Sequence, residues 1–201
     1  VLDIPITLGT KLAAGVSLAA GLATIPPETT VKGMFFRRHV ELLGPDYEPL
    51  SATFDAPVKD GKYVAFRDYP QRDYARIIAA TSRKRFPALP GREALRHLAR
   101  EDFKVFADSM IGRVVMTVAG DVRATLLHVP DAYRATVPAA VVHAVDVDPH
   151  MVRISFEPLM GFLEYTLGQL EGVVIAFDGS PLTTIHAMKN GGHQFDVVHR
   201  R

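Results

Sequence analysis

The chain has 201 residues, enough for one domain with a substantial core. Lys and Arg number 23 against 22 Asp and Glu, a net charge of +1, which gives no electrostatic ground for a nucleic-acid partner. The absence of cysteine excludes disulfides, thiolate metal sites and a thiol nucleophile, and suits a reducing cytoplasm, where the chain is expected.

Residues 1–26 read as an arm or docking helix. Leu12–Ile25 is rich in Ala, Gly and Leu, but its length of about 14 residues falls short of the roughly 20 that a membrane span needs. Pro26-Pro27 ends this segment. Residues 27–137 read as mainly helical. Val31–Leu43 carries Val31, Met34, Phe35, Val40 and Leu43 among polar residues, as a surface helix would, and Gly44-Pro45 stops it. Further helices are predicted over Gln71–Arg85, Arg92–Arg100, Asp102–Ala119 and Val122–Ala135, the last helical as far as Pro130.

Residues 138–201 read as a ββαββ module, around which the chain is arranged. Val141–Asp146 and Met151–Glu157 alternate as half-buried strands do, with Val152, Ile154 and Phe156 on one face. The period then lengthens, and Leu159–Phe177 follows helical spacing. Gly161, Gly168 and Gly172 interrupt that helix, each at a cost of about 1 kcal/mol relative to Ala. Three such costs point to close contact with another backbone or a ligand. Leu182–Met188 and His193–His199 form a second hairpin about Asn190-Gly191, residues that accept positive φ. The fold class is therefore α+β. A helical first two-thirds packs on a four-stranded antiparallel sheet within a single domain of residues 1–201.

Val31-Lys32-Gly33-Met34-Phe35-Phe36, Tyr69-Pro70, Ala94-Leu95-Arg96-His97-Leu98, Gly112-Arg113 and Tyr165-x-x-Gly168-x-Leu170-Glu171 together resemble an uncharacterised family multiplied as paralogues in myxobacteria. Through its final third that family is similar to four-vinyl-reductase-type domains, haem-nitric-oxide-binding domains and Bet-type subunits of vesicle-tethering complexes. The resemblance implies helices on a four-stranded sheet with a small-molecule or acyl-chain pocket between the layers. It implies no established activity. Haem domains of this kind carry a Tyr-x-Ser-x-Arg propionate clamp that this sequence lacks.

The residues themselves nominate no catalytic group and no metal site. None of the eight His has metal-ligand spacing; His128 is the best lone candidate for a haem ligand, and His143, His186, His193 and His199 fall on strands that could bring them together. Glu157, Glu164 and Glu171 recur every seven residues, as a solvated helix stripe would, unless one is held in a pocket for acid–base work. Ser109, Ser155 and Ser180 lack a nucleophile-elbow pattern. Arg37-Arg38-His39, Arg83-Lys84-Arg85 and His199-Arg200-Arg201 read as solvated faces.

Phe103, Phe106, Met110, Val114, Phe162, Tyr165, Thr166 and Leu170 are the candidate ligand-binding residues, lining a space between a helix and the final module. The leading expectation is a non-enzymatic sensor or carrier for an apolar or acyl-type small molecule, its cofactor, if any, unspecified. The alternatives are a protein-interaction module, homodimeric through the sheet edge or the arm, and a haem-based gas sensor.

Overall fold

A computed structural model describes residues 4–12, 15–108 and 110–200. Ser109 lies outside them. The elements, in chain order, are β1 (Ile4–Thr7), α1 (Leu18–Ala23), β2 (Thr30–Lys32), α2 (Met34–Leu43), α3 (Tyr47–Ser51), β3 (Asp68–Pro70), α4 (Gln71–Arg85) and α5 (Gly91–Asp108). They continue with α6 (Met110–Ala119), α7 (Val122–Leu127), α8 (Val129–Thr136), β4 (Val142–Asp148), β5 (Met151–Phe156), α9 (Leu163–Ala176), β6 (Ser180–Ala187) and β7 (His193–Arg200). The fold is α+β, a helical layer on an antiparallel sheet. No described helix is long and apolar enough to cross a membrane.

The two C-terminal hairpins lie side by side, joined through β5 and β7. Ile154 pairs with Phe195 and Phe195 with Ile185, so one rung of the buried face crosses three strands. All three side chains are buried. Leu167, Leu170, Val173 and Val174 of α9 cluster with this face, together with Leu126 of α7. One parity of each central strand thus meets a helix, as the alternation in the sequence requires.

The sheet order is β1-β6-β7-β5-β4, so the sheet has five strands. The fifth comes from the N-terminal arm, where Ile4–Thr7 pairs antiparallel with Leu182–Ile185. The described part of the arm is docked on its own chain rather than loosely held. Ser17 caps α1 by accepting from the Ala20 amide, and Gly21 lies so close to Phe162 that a Cβ would meet the ring at 2.4 Å.

Four predicted helices have different limits. Val31–Leu43 begins as a strand, because Val31 pairs with Tyr69 in a small β2–β3 hairpin, and the helix starts only at Met34. The break expected after Arg100 does not occur; α5 runs on to Asp108. Val122–Ala135 divides at His128, and Pro130 opens α8 instead of ending a helix, since an N-terminal turn has no use for the missing amide.

Candidate functional site

Helix α9 is the member shared by both layers. Phe162 at its start and Tyr165 belong to the core cluster of the helical layer, with Phe36, Ile77 and Leu98. Leu170 belongs to the cluster on the sheet, against which Phe103 also packs. Phe162, Tyr165, Thr166 and Leu170 are buried, whereas Phe103 and Phe106 are half-exposed. The candidate residues therefore lie on two sides of α9. The side chains of Met110 and Val114 lie outside the described set.

The glycines of α9 admit a neighbouring helix. A Cβ on Gly168 would stand 2.3 Å from the Arg96 carbonyl oxygen, and one on Gly172 would stand 2.7 Å from Cβ of Phe103. Gly161 precedes the helix, which begins at Leu163, and has φ of 91°. Close approach of α5 accounts for Gly168 and Gly172; left-handed backbone accounts for Gly161.

A buried polar cluster fills the seam between α2, α4, α5 and α9. Tyr165 donates to Oδ2 of Asp102 at 2.7 Å, which leaves Tyr74 to donate to the Tyr165 hydroxyl, also at 2.7 Å. Arg38 pairs with Oδ1 of Asp102 and reaches Glu101 at 3.2 Å. His39 is 1% exposed, with Nε2 3.5 Å from the Tyr74 hydroxyl and 3.6 Å from Asp102. Its Nδ1 is buried without a hydrogen-bond partner among the described residues.

Burial, aided by Arg38, pushes the His39 imidazole down to about 3, so the ring is neutral at ordinary pH. Asp102 does not reverse this, because its oxygens are already engaged by Arg38 and Tyr165. Burial also pushes Tyr74 up to about 12 and Tyr165 well above the usual phenol range. At ordinary pH the phenols stay protonated and the imidazole neutral, and the cluster fastens four helices together.

Two of the three Glu spaced by seven depart from the solvated stripe expected of them. Glu164 is buried and pairs with Arg92 at 3.1 Å. Glu171 is wholly buried, bonded by Nε of Arg96 and Nε of Arg100, each at 2.8 Å. Glu157 alone stays outside, accepting from Asn190. The basic runs also serve packing. Arg37 donates to the Tyr63 carbonyl at 3.0 Å, and Lys84 reaches both the Leu43 carbonyl and Asp46 at 2.6 Å.

The histidines do not converge. His128 is largely exposed and bonded to Asp131. His186 faces Asp196, while His193 stands opposite Phe156 and Ala187. His199 meets His150, their ring centroids 6.1 Å apart. Among the described residues no group of three or more His, Asp or Glu could hold a metal ion.

Residues 24–197 match the family model described as protein of unknown function DUF2378. The chain belongs to that family. No curated protein matches it. Among solved structures it is similar to an H-NOX protein from S. oneidensis in the Fe(II)NO ligation state, with a TM-score of 0.65 at 11% identity, covering 85% of this chain and 99% of that one. It is also similar to the Fe(II) unliganded H-NOX protein from K. algicida, with a TM-score of 0.63 at 14% identity over 85% and 97% of the two chains. A single-site mutant of the T. tengcongensis H-NOX gives a TM-score of 0.60 at 18% identity over 84% and 95%. At these identities the likeness establishes an H-NOX-like fold.

Proposed function

We propose that this DUF2378 domain is a non-enzymatic sensor that has kept the H-NOX fold and takes a small apolar or acyl-chain ligand in place of haem. The fold supports a sensor, since the structural neighbours are H-NOX proteins described in ligated and unliganded states. The seam argues against haem. Tyr74 and Tyr165 bond across it, α5 fills the glycine notches of α9, and its one buried histidine, His39, turns Nε2 toward Tyr74 and Asp102. His128, the best single haem-ligand candidate in the sequence, is exposed and held by Asp131. These residues do not fit a macrocycle.

The observation that carries the ligand reading is the apolar flank where α5 meets α6. Phe103 and Phe106 are half-exposed there, with ring centroids 5.9 Å apart, and Val105 and Val118 are 49% and 82% exposed. Helix α6 carries a single charge, Arg113, among Met110, Ile111, Val114, Val115 and Met116. An apolar helix sequence beside half-exposed aromatic rings is the kind of face on which an apolar ligand settles. In this reading Phe103, Phe106, Met110 and Val114 contact the ligand, with Leu170 behind Phe103, while Thr166 bonds Tyr133 of α8. Phe162 and Tyr165 support the seam from the other side of α9.

Native mass spectrometry and organic extraction of the purified chain, followed by titration with dodecanoate, test the proposal. A retained or titratable apolar ligand, lost in Phe106→Asp, is expected. A chain that neither retains nor binds any such molecule sinks it. Added haemin is expected to keep its free spectrum, and a sharp Soret band of bound haem would reverse the ranking. A second reading, self-association through β4, is favoured by the exposed Val141, Val145 and Val147 on and beside that edge strand.

A further inference from the structure

The buried pair beneath the N-terminal strap is not neutral. Arg96 and Arg100 are 2% and 11% exposed at the side chain, and the one carboxylate between them is Glu171, at 0%. Two guanidinium groups face a single carboxylate, leaving one positive charge in excess within the body of the protein. Uncompensated buried charge is costly, so such an excess calls for further acceptors or an anion.

The strap supplies acceptors to Arg96. Its Nη1 donates to the Thr10 carbonyl at 2.7 Å, and its Nη2 donates to the Thr7 carbonyl and to Glu171. All three nitrogens of Arg96 are thereby used. Arg100 is served less well. It holds Glu171 through Nε and Nη2, and reaches the Leu8 carbonyl only at 3.5 Å. Its Nη1 makes no hydrogen bond among the described residues.

A concavity of ≈160 Å³ opens at this place, between strap residues 8–11 and α5. Lys11 enters it from the strap, and His97 and Arg100 from the helix; Glu93 is its carboxylate. The side chains of Lys11, His97 and Glu93 make no hydrogen bond among the described residues, and the His97 ring rests against Phe86 with centroids 5.7 Å apart. With Glu93 and Glu171 both counted against Lys11, Arg96 and Arg100, the lining still carries one excess positive charge. The donors come from different directions, a lysine on one wall and a guanidinium and an imidazole on the other. That disposition suits the spread oxygens of a tetrahedral anion better than a planar carboxylate, which a single guanidinium fork would satisfy.

We propose that this concavity binds a small tetrahedral oxyanion of the phosphate-monoester class, held by Lys11, His97 and Arg100 at the joint between the strap and the body. The site is separate from the apolar flank at α5–α6 and stands whether or not that flank takes a ligand. It also joins a segment that precedes the family-matched region, which begins at residue 24, to the buried core of that region. Occupancy would therefore fasten the strap.

Thermal unfolding and isothermal titration of the full chain, at constant ionic strength, provide the test. Inorganic phosphate and glycerol phosphate are the probes and acetate the planar control. Either phosphate is expected to bind and raise Tm, and the tighter of the two distinguishes a free ion from a phosphate on an organic group. Lys11→Gln, at an exposed position, is expected to weaken binding about tenfold, and Glu93→Gln to tighten it about fivefold, as removal of an attractive and a repulsive charge requires. No binding of either phosphate, equal stabilisation by acetate, or indifference to both substitutions would overturn the assignment.

Discussion

His39 shows how much one buried side chain can impose on the molecule. Its imidazole is pushed down to about 3 by burial and by Arg38, whereas in the unfolded chain it titrates near the ordinary 6.5. Between these values the unfolded chain binds a proton that the native chain refuses. Stability therefore rises with pH across this window, is complete above about 6.5, and is lost as pH falls toward 3. The loss is about 1.4 kcal/mol per pH unit. Urea unfolding from pH 7 to pH 4.5 is expected to show at least that slope, since burial also pushes down His97, His193 and His199, and His39→Gln to reduce it by the share of His39; an unchanged slope in the variant would contradict the burial argument. Tyr165→Phe probes the same cluster from α9. It removes the donor to Asp102 and the acceptor of Tyr74, and is expected to cost about 1–3 kcal/mol by the same measurement. Neither effect was legible in the sequence. Arg37-Arg38-His39 reads as a solvated run because nothing local shows that Asp102 and Tyr165, 63 or more positions away, close over it. The same holds for Glu171, whose partners Arg96 and Arg100 lie 75 and 71 positions earlier.

At the level of elements, α9 is the case where sequence reasoning reached furthest. The change of period from two to helical spacing located it, and its glycine costs implied close contact; the structure supplies the partner, α5. The magnitudes give a prediction. Alanine at Gly168 gains up to about 1 kcal/mol of helix propensity, but its Cβ would lie 2.3 Å from a backbone oxygen that cannot swing away. Overpacking at about 1–3 kcal/mol or more then wins. Gly168→Ala is expected to lower Tm, and Gly172→Ala to lower it less, because its obstacle is the Phe103 side chain. Equal melting of Gly168→Ala and wild type would show that α5 moves freely. The hairpins were legible for related reasons: strands of six to eight residues display their alternation, and the second turns on Asn-Gly. Strands β1, β2 and β3 were not, since three or four residues cannot display an alternation and each is fixed by a partner distant in sequence. The apolar pattern of α5 likewise ran through Arg100 without a local signal for continuity.

For the whole molecule, the arm decides which edges of the sheet remain open. β1 covers β6, so residues 4–7 occupy one edge and supply the Thr7 carbonyl that Arg96 uses. Removing residues 1–12 is expected to destabilise the fold by about 3 kcal/mol or more, since it strips acceptors from a buried arginine and bares β6. The other edge, β4, pairs with no further strand among the described residues. Its Val145 is 55% exposed beside Arg153, with Val141 and Val147 also exposed, while Arg123 pins Asp146 from behind. A register shift between Asp146 and Asp148 interrupts the pairing with β5 there. Antiparallel addition about Val145 would bring two valines together with no like charges opposed. The expected consequence is a reversible, concentration-dependent dimer seen by sedimentation. Val145→Glu should raise its dissociation constant at least about tenfold, by placing two carboxylates face to face, and leave Tm nearly unchanged because the position is exposed and opposite Arg153. A chain that sediments as a monomer at every concentration, or a variant that associates as well as wild type, would remove β4 as an interface.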